Sequence, residues 1–441
     1  MRLEKGFTVT SKFGATIKIL DIFGEGGQGI VYKVLYKDEI KALKMYKISS
    51  LGSNPQAFYE NIKNNILKGS PSPMYLWPLD MVDWQKDGSF GYVMDVRPQG
   101  YYELGKFLSS QVSFSSFGVM IDGLLNLIHA FRLLHIKGMS YQDLNDGNFF
   151  FNPKNGNLKI CDTDNVAPNG FNTGVIGKPR YIAPEIIQGK ALPSTSTDQY
   201  SLACILFMTL TNQHPLEGKR FLANYLNPLC EEVLYGYDPI FIMDPNNQKN
   251  GPVEEVHKNV LYMWKELPTY IKDAFTEQFS HEVLIENTNK RYTERNWLDL
   301  FIRLRSHIVH CYQCGGDTFL ENQSSPICED CSRQFSIGSS FILSGCDYEF
   351  PIAVGNIVYR MQLGACNVLN SLDKVLLIVP GSEGRNILGA RNLTKETFEF
   401  FMPGKKVVLV YPGKVFPIIN GCKVKLLNES ISIRGFKNGK Y

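Results

Sequence analysis

The side chains with chemical potential gather first in YQDLNDGN, Tyr141 to Asn148. This octapeptide sets a carboxylate, Asp143, and a carboxamide, Asn148, five residues apart, directly after a long amphipathic stretch. The first can accept a proton and the second can offer an oxygen to a hard cation. Far upstream, Gly24-Glu25-Gly26-Gly27-Gln28-Gly29-Ile30-Val31 reads G-x-G-x-x-G-x-V. Glycine at Gly24, Gly26 and Gly29 lets backbone amides approach a phosphate without Cβ obstruction and tolerates positive φ. The same pattern fits a dinucleotide-binding turn or a plain hairpin. The dinucleotide case needs a helix next, whereas Val31-Tyr32-Lys33-Val34-Leu35 is strand-like. Lys44 then lies in the apolar strand Ala42-Leu43-Lys44, an unusual place for a residue type that ordinarily sits in solvent. Phosphate handling is the chemistry these groups suit.

Several elements are needed to position them. Residues from about Phe7 to Met45 read as strands and turns. QAFYENIKNNILKG follows, with Phe58, Ile62 and Ile66 at helical spacing and Gly69 to end the helix. Glu60 in that helix is the only acidic residue between Ile40 and Leu79, and it is the expected ion-pair partner of Lys44. Phe90 to Asp95 is an apolar run opening into Arg97-Pro98, a linker between lobes or an ordinary core strand. Phe117 to His135 carries a core-facing helical pattern that leads into YQDLNDGN. Beyond it, Phe149-Phe150-Phe151 and Leu158-Lys159-Ile160 frame an Asn155-Gly156 hairpin turn.

Composition bounds the setting. A chain of 441 residues is long enough for two or three domains. A net charge of +3 gives no basic field for nucleic acid. Met1 to Thr10 lacks a signal-like apolar core, and Leu202 to Leu210 is too short to span a membrane, so no membrane partner is expected. Ten cysteines, four of them in two C-x-x-C pairs, favour a reducing, cytoplasmic compartment and a metal site.

Asp162 in Cys161-Asp162-Thr163-Asp164, then Ala183-Pro184-Glu185, Asp198 and Arg291 follow in order. With the glycine loop, the lysine and the octapeptide, this succession resembles the protein kinase fold over residues 10–305, with an N-lobe of about 10–95 and a C-lobe of about 96–305. GEGGQG, WPLD (Trp77 to Asp80), YQDLNDGNFFF, ICDTDNV, PRYIAPEII, HPLEG (His214 to Gly218) and YGYDPIF (Tyr235 to Phe241) resemble one bacterial family more narrowly. These are the kinases associated with the tellurite-resistance phosphorylation triad, encoded beside a von Willebrand A protein and a metal-dependent phosphatase. The resemblance implies ATP- and Mg²⁺-dependent phosphorylation of Ser/Thr, a von Willebrand A protein as substrate, and a cognate phosphatase. It assigns Asp143 as base, Lys44 to the α/β-phosphates, and Asn148 and Asp162 to Mg²⁺. Val31, Ala42 and Met94 would border the base of the nucleotide, and backbone groups of Asp95 and Arg97 would meet its edge. Asp198 would brace the catalytic loop, and Glu185 would pair with Arg291.

Departures from the common kinase pattern carry their own expectations. Thr163 and Asp164 stand where Phe and Gly are usual, and Tyr141-Gln142 where His-Arg is usual. Gln142 leaves no arginine to capture an activation-loop phosphate, so Thr173 makes a poor switch. Asn145 replaces the usual lysine, and Lys178 is the candidate to restore an ammonium beside Asp143; the alternative is that Lys178 points to solvent or substrate acids. A reading from another class is a non-catalytic, ATP-binding pseudokinase scaffold acting through its C-terminal modules.

Cys311-Tyr-Gln-Cys314 and Cys328-Glu-Asp-Cys331 give four thiolates for a tetrahedral, structural Zn²⁺ over residues 306–335, a zinc ribbon. A redox role is the alternative. Residues 336–441 turn to short strands punctuated by Pro403-Gly404, Pro412-Gly413, Asn420-Gly421 and Asn438-Gly439, which reads as a β-rich, sandwich-like domain. Leu388 to Thr394 faintly resembles a forkhead-associated phosphopeptide reader, and a structural or partner-docking sandwich is preferred. The fold class is therefore α+β: a bilobal kinase-like fold, a zinc ribbon and a β-rich module.

Overall fold

The computed structural model describes residues 2–47, 54–172, 177–223, 227–311, 313–319, 327–328, 330–334, 340–343, 349–364, 367–381, 388–427 and 429–434. Thr173, Cys346, Cys366 and Asn438-Gly439 lie outside them.

The N-terminal part is an antiparallel sheet with one helix. Its strands are β1 (Thr8–Thr10), β2 (Thr16–Glu25), β3 (Gly29–Tyr36), β4 (Glu39–Tyr46), β5 (Asp80–Val82) and β6 (Gly91–Asp95), ordered β1-β2-β3-β4-β6-β5. Ile17, Ile19, Val34, Leu43 and Val93 form one apolar cluster of the sheet. Tyr46, Tyr92 and Phe90 form another with Phe58 and Ile62 of α1 (Pro55–Lys68). The Asn54 carboxamide caps α1 by accepting from the Ala57 amide at 3.0 Å, and Gly69 ends it at φ 73°. Gly91 is forced by packing, because a Cβ there would lie 2.4 Å from the Lys44 carbonyl oxygen.

The next part is mainly helical. Short strands β7 (Tyr102–Glu103), β8 (Met139–Ser140), β9 (Phe149–Phe151), β10 (Leu158–Ile160) and β11 (Ala167–Pro168) surround the YQDLNDGN loop. β9 and β10 pair as the Asn155-Gly156 signal requires, Leu158 opposite Phe151. The helices are α2 (Leu104–Leu108), α3 (Phe117–Ile136), α4 (Pro184–Ile187), α5 (Thr195–Thr211) and α6 (Lys219–Ala223). They continue with α7 (Pro228–Glu232), α8 (Lys258–Glu266), α9 (Thr269–Gln278) and α10 (Glu294–Ser306). Helix α3 is apolar and long enough to cross a membrane, yet two-thirds of its most apolar window is buried inside the protein, against neighbours that include α5 and α10.

Past α10, β12 (Ile308–His310) pairs with β13 (Asp317–Phe319). The remaining strands are β14 (Ser340–Leu343), β15 (Glu349–Pro351), β16 (Ile357–Tyr359), β17 (Lys374–Val379) and β18 (Gly389–Asn392). Last come β19 (Phe398–Phe401), β20 (Val408–Val410), β21 (Val415–Pro417), β22 (Lys423–Leu426) and β23 (Glu429–Arg434). They make two sheets, β15-β14-β23-β22-β19-β20 and β16-β17-β18-β21. Val358, Leu376 and Ala390 of one sheet share a core with Phe398, Val424 and Ile431 of the other. Gly404, Gly413 and Gly421 sit in turns at positive φ. Asn392 is a structural residue of this module: its buried carboxamide donates to the carbonyls of Glu396 and Val410.

This module is not a loose appendage. Ile308, Ile357, Tyr359 and Met361 belong to the same core as α3, α5 and α10. Asp122 of α3 accepts from Arg305 Nε at 3.0 Å and from the Tyr359 hydroxyl at 2.8 Å. Asp317 of β13 accepts from the first amides of α3, Phe117 at 3.1 Å and Gly118 at 3.4 Å.

Candidate active site

The YQDLNDGN loop is fixed from below by α5. Asp198, in its first turn, accepts from the amides of Tyr141 at 2.6 Å and Gln142 at 3.2 Å. His135, at the end of α3, bridges Asp198 at 3.1 Å and Glu294 of α10 at 2.9 Å. Burial alone would lower the His135 pKa, but the two carboxylates outweigh it and raise it to about 9. The Tyr141 side chain is fully buried and its hydroxyl donates to the Cys161 carbonyl. Gln142 takes a left-handed φ of 71° and donates to the Phe171 carbonyl at 2.5 Å. The Tyr-Gln pair therefore ties the loop to its neighbours through neutral groups.

Asp143 lies at the top of this support. Its carboxylate accepts from Asn145 at 3.2 Å and Asn165 at 3.4 Å, while Asn148 donates to its backbone carbonyl at 2.8 Å. Burial, followed by the Asp162 carboxylate, raises its pKa to about 6, which suits a proton acceptor near neutrality. Beside it opens a cavity of about 520 Å³ whose walls include Leu144, Ile182, Ile186 and Leu192.

Lys44 projects from β4 into the same cleft. Its ammonium lies 2.8 Å from Asp164, 3.2 Å from Asp162 and 3.3 Å from the Gln28 side-chain oxygen. The expected Lys44–Glu60 pair is not formed. Glu60 is 42% exposed and pairs instead with Lys63 at 2.9 Å. The reason is the rotation of α1, which turns Phe58, Asn61, Ile62 and Asn65 inward. Asn61 and Asn65 each donate to the Val166 carbonyl at 2.7 Å, and Asn61 also reaches the Asp164 carbonyl at 3.4 Å. Thr163, in the usual phenylalanine position, donates to the Leu76 carbonyl at 2.9 Å. Asp162 itself adopts a left-handed φ of 48°.

The glycine loop joins β2 to β3 above Lys44. Gly29 is dictated by contact, since a Cβ there would lie 2.0 Å from the Met45 carbonyl oxygen. At Gly24, Gly26 and Gly27 a Cβ would meet nothing within 4 Å. Protein packing does not demand a glycine at these three positions, and the Gly26 amide closes the turn by donating to the Gly29 carbonyl at 2.9 Å. None of the four uses positive φ, so the conformational half of the expectation for Gly24, Gly26 and Gly29 is corrected. Val31, Ala42 and Met94 lie on neighbouring strands, with Ala42 directly opposite Met94. Met94 is buried, Asp95 is exposed and bound to Lys41 at 2.6 Å, and the Arg97 guanidinium stacks 4.2 Å from the Phe150 ring centre.

Lys178 does not touch Asp143 directly. Its ammonium lies 3.4 Å from the Asn145 side-chain oxygen and 3.6 Å from Asp146, with the side chain 61% exposed. Asn145 stands between the two, donating to Asp143. The direct contact with Asp143 expected from sequence is not formed, and the largely exposed ammonium lies nearer the alternative, between Asn145 and Asp146. Glu185 and Arg291 form a bidentate pair at 2.6 and 2.8 Å, deep against α5.

The four thiols of Cys311, Cys314, Cys328 and Cys331 converge, all sulfurs lying within 4.8 Å of one another. Cys311–Cys331 and Cys314–Cys328 are 3.7 and 3.5 Å apart. A tetrahedral ion with metal–sulfur bonds of about 2.3 Å requires sulfur–sulfur edges of about 3.8 Å, so the thiols fit a metal centre. The Gly315 amide donates to the Cys311 carbonyl and the Ser332 amide to the Cys328 carbonyl, the two matching turns of the site. Among the other described cysteines, Cys204 and Cys422 are buried while Cys161 and Cys230 are only partly so.

A two-lobed fold whose cleft gathers a glycine loop, a buried lysine and three carboxylates defines a kinase-like class of protein. The protein kinase domain model matches residues 17–300, more than half of the chain, and the chain belongs to that family. It is 31% identical to the serine/threonine-protein kinase RUNKEL of Arabidopsis thaliana over 24% of this chain and 8% of that protein. It is 26% identical to protein kinase 3 of Dictyostelium discoideum over 50% of this chain and 24% of that protein. It is also 23% identical to serine/threonine-protein kinase AtPK2/AtPK19 of Arabidopsis thaliana over 64% of this chain and 63% of that protein. The chain thus spans less than two-thirds of the length of each of these relatives.

Proposed function

We propose that this protein transfers the γ-phosphate of ATP to serine or threonine hydroxyls of a protein partner. The single observation that carries this reading is the meeting of Lys44, Asp162 and Asp143 beneath a glycine loop whose open positions have no packing role. Lys44 grips the α/β-phosphates, and the loop amides lie over them. Asn148 and Asp162 would hold Mg²⁺, which when bound neutralises charge on the phosphate oxygens. Asp143, nearly half protonated at pH 6 and largely ionised by pH 7, accepts the proton of the incoming hydroxyl. The acceptor residue enters by the cavity beside Asp143.

The partner in this reading is a von Willebrand A protein, with a cognate metal-dependent phosphatase reversing the modification. It rests on the sequence likeness, as do the bacterial triad and the cytoplasmic setting. The four cysteines hold a structural Zn²⁺, supported by their sulfur–sulfur distances. The β-rich module serves as a partner-docking unit.

Incubation with radiolabelled ATP and a von Willebrand A partner tests the whole. Transfer that disappears in Asp143→Asn supports the enzyme. Tight ATP binding with no transfer to any acceptor supports the non-catalytic scaffold instead.

A further inference from the structure

We infer that Asp164 is the permanent anchor of Lys44, a positioning residue in the place that sequence offers to Glu60. On the same geometry, Gln28 and Asp162 hold the ammonium only until a nucleotide displaces them. The inference rests on the kinase reading and deepens it.

An ammonium has three N–H donors and no acceptor. Here three acceptors surround it: Asp164, Asp162 and Gln28. They differ in freedom. Gln28 rides on the glycine loop and is partly exposed, and the Asp162 side chain is 38% exposed. Both can turn outward and surrender Lys44 to phosphate oxygens. Asp164 cannot, because its side chain is fully enclosed and also accepts from the Tyr46 hydroxyl. Its own carbonyl and that of Val166 are pinned by Asn61 and Asn65 of α1. The fixed charge on Lys44 is therefore that of Asp164, and its other two bonds go to the more exposed Gln28 and Asp162. Helix α1 acts on the lysine indirectly, through carboxamides that seat the Asp164 segment. Removing the Glu60 carboxylate leaves this arrangement intact.

The test measures affinity for a fluorescent ATP analogue with Mg²⁺ on the full chain. Asp164→Asn is isosteric and is expected to weaken binding at least tenfold. Glu60→Gln, whose carboxylate lies outside the cleft, is expected to change it less than twofold. If Asp164 acts only through Lys44, then Asp164→Asn adds less than twofold on a Lys44→Met background, which a merely structural defect would not produce. Tyr46→Phe removes the second bond to the same carboxylate and serves if Asp164→Asn fails to fold; about a threefold loss is expected, and no change overturns the inference. Wild-type affinity in Asp164→Asn, an equal loss in Glu60→Gln, or additive losses in the double variant also overturn it. Binding without phosphate transfer in the wild type sinks the kinase reading and leaves the anchor standing. Normal transfer and binding in Asp164→Asn does the reverse.

Discussion

At the scale of single residues, Asp143 ties the geometry to a measurable pH dependence. A base with a pKa of about 6 works only when ionised. The rate constant for acceptor phosphorylation should climb from pH 5 and level off above pH 7. Asp143→Asn should remove that limb and lower kcat by about 10²–10⁴-fold, as read in a pH–rate profile. Arg291 supports a second expectation. Its side chain is 1% exposed and forks onto Glu185, so Glu185→Ala strands a buried guanidinium. A loss of about 3–5 kcal/mol in urea unfolding is expected. Asp143, Asn148, Lys44 and Asp162 were legible in sequence because they are marked by spacing along the chain. Asp164 was not, because the partner of Lys44 is decided by how a helix is rotated. One position along a helix turns a side chain by about 100°, and that separates Glu60 from Asn61. The signal was present nonetheless: Phe58, Asn61, Ile62 and Asn65 trace one face, with carboxamides in its midst. A buried carboxamide looks for backbone carbonyls, and those of Asp164 and Val166 are what it finds.

At the scale of elements, α3, α5 and α10 meet through His135, Asp198 and Glu294, and the catalytic loop hangs from that junction. The folded His135 pKa of about 9 exceeds the ordinary value of 6.5. Its stabilisation is therefore complete below pH 6.5 and is lost as pH rises through about 9. The full effect is on the order of 3 kcal/mol. Urea midpoints should fall between pH 6.5 and 9.5, and His135→Gln should flatten that slope. A midpoint that stays level in the unsubstituted protein contradicts the charged assignment. These three helices were partly legible: α3 announced itself by apolar periodicity and α5 by its buried run. The bracing of the loop by Asp198 was legible, but its link through His135 to Glu294 was hidden, because these residues come from distant segments and no local pattern marks their meeting.

At the scale of the whole molecule, the cysteine centre and the helical part share their stability. On the proposed Zn²⁺ assignment, a chelator should unfold the segment around the four cysteines, since so small a unit would draw its folding energy from the ion. Asp317 would then release the Phe117 and Gly118 amides at the start of α3. Thermal unfolding should show a lowered midpoint on chelation, restored by Zn²⁺. Asp317→Ala, which removes that cap, should cost about 1 kcal/mol or more. An unchanged midpoint on chelation would count against metal as the ribbon's support. The β-rich module was legible as strands and turns, but its attachment was not. Tyr359 and Met361 reach the helical core across gaps in sequence that no periodicity spans. Because those side chains finish a surface that α3 and α10 leave incomplete, a gene clipped after Ser306 would encode a protein with a raw flank. Inheritance should therefore treat the two halves as one indivisible unit, and natural variants lacking the tail should carry polar residues at the apolar positions of α3 and α10 that Tyr359 and Met361 now cover.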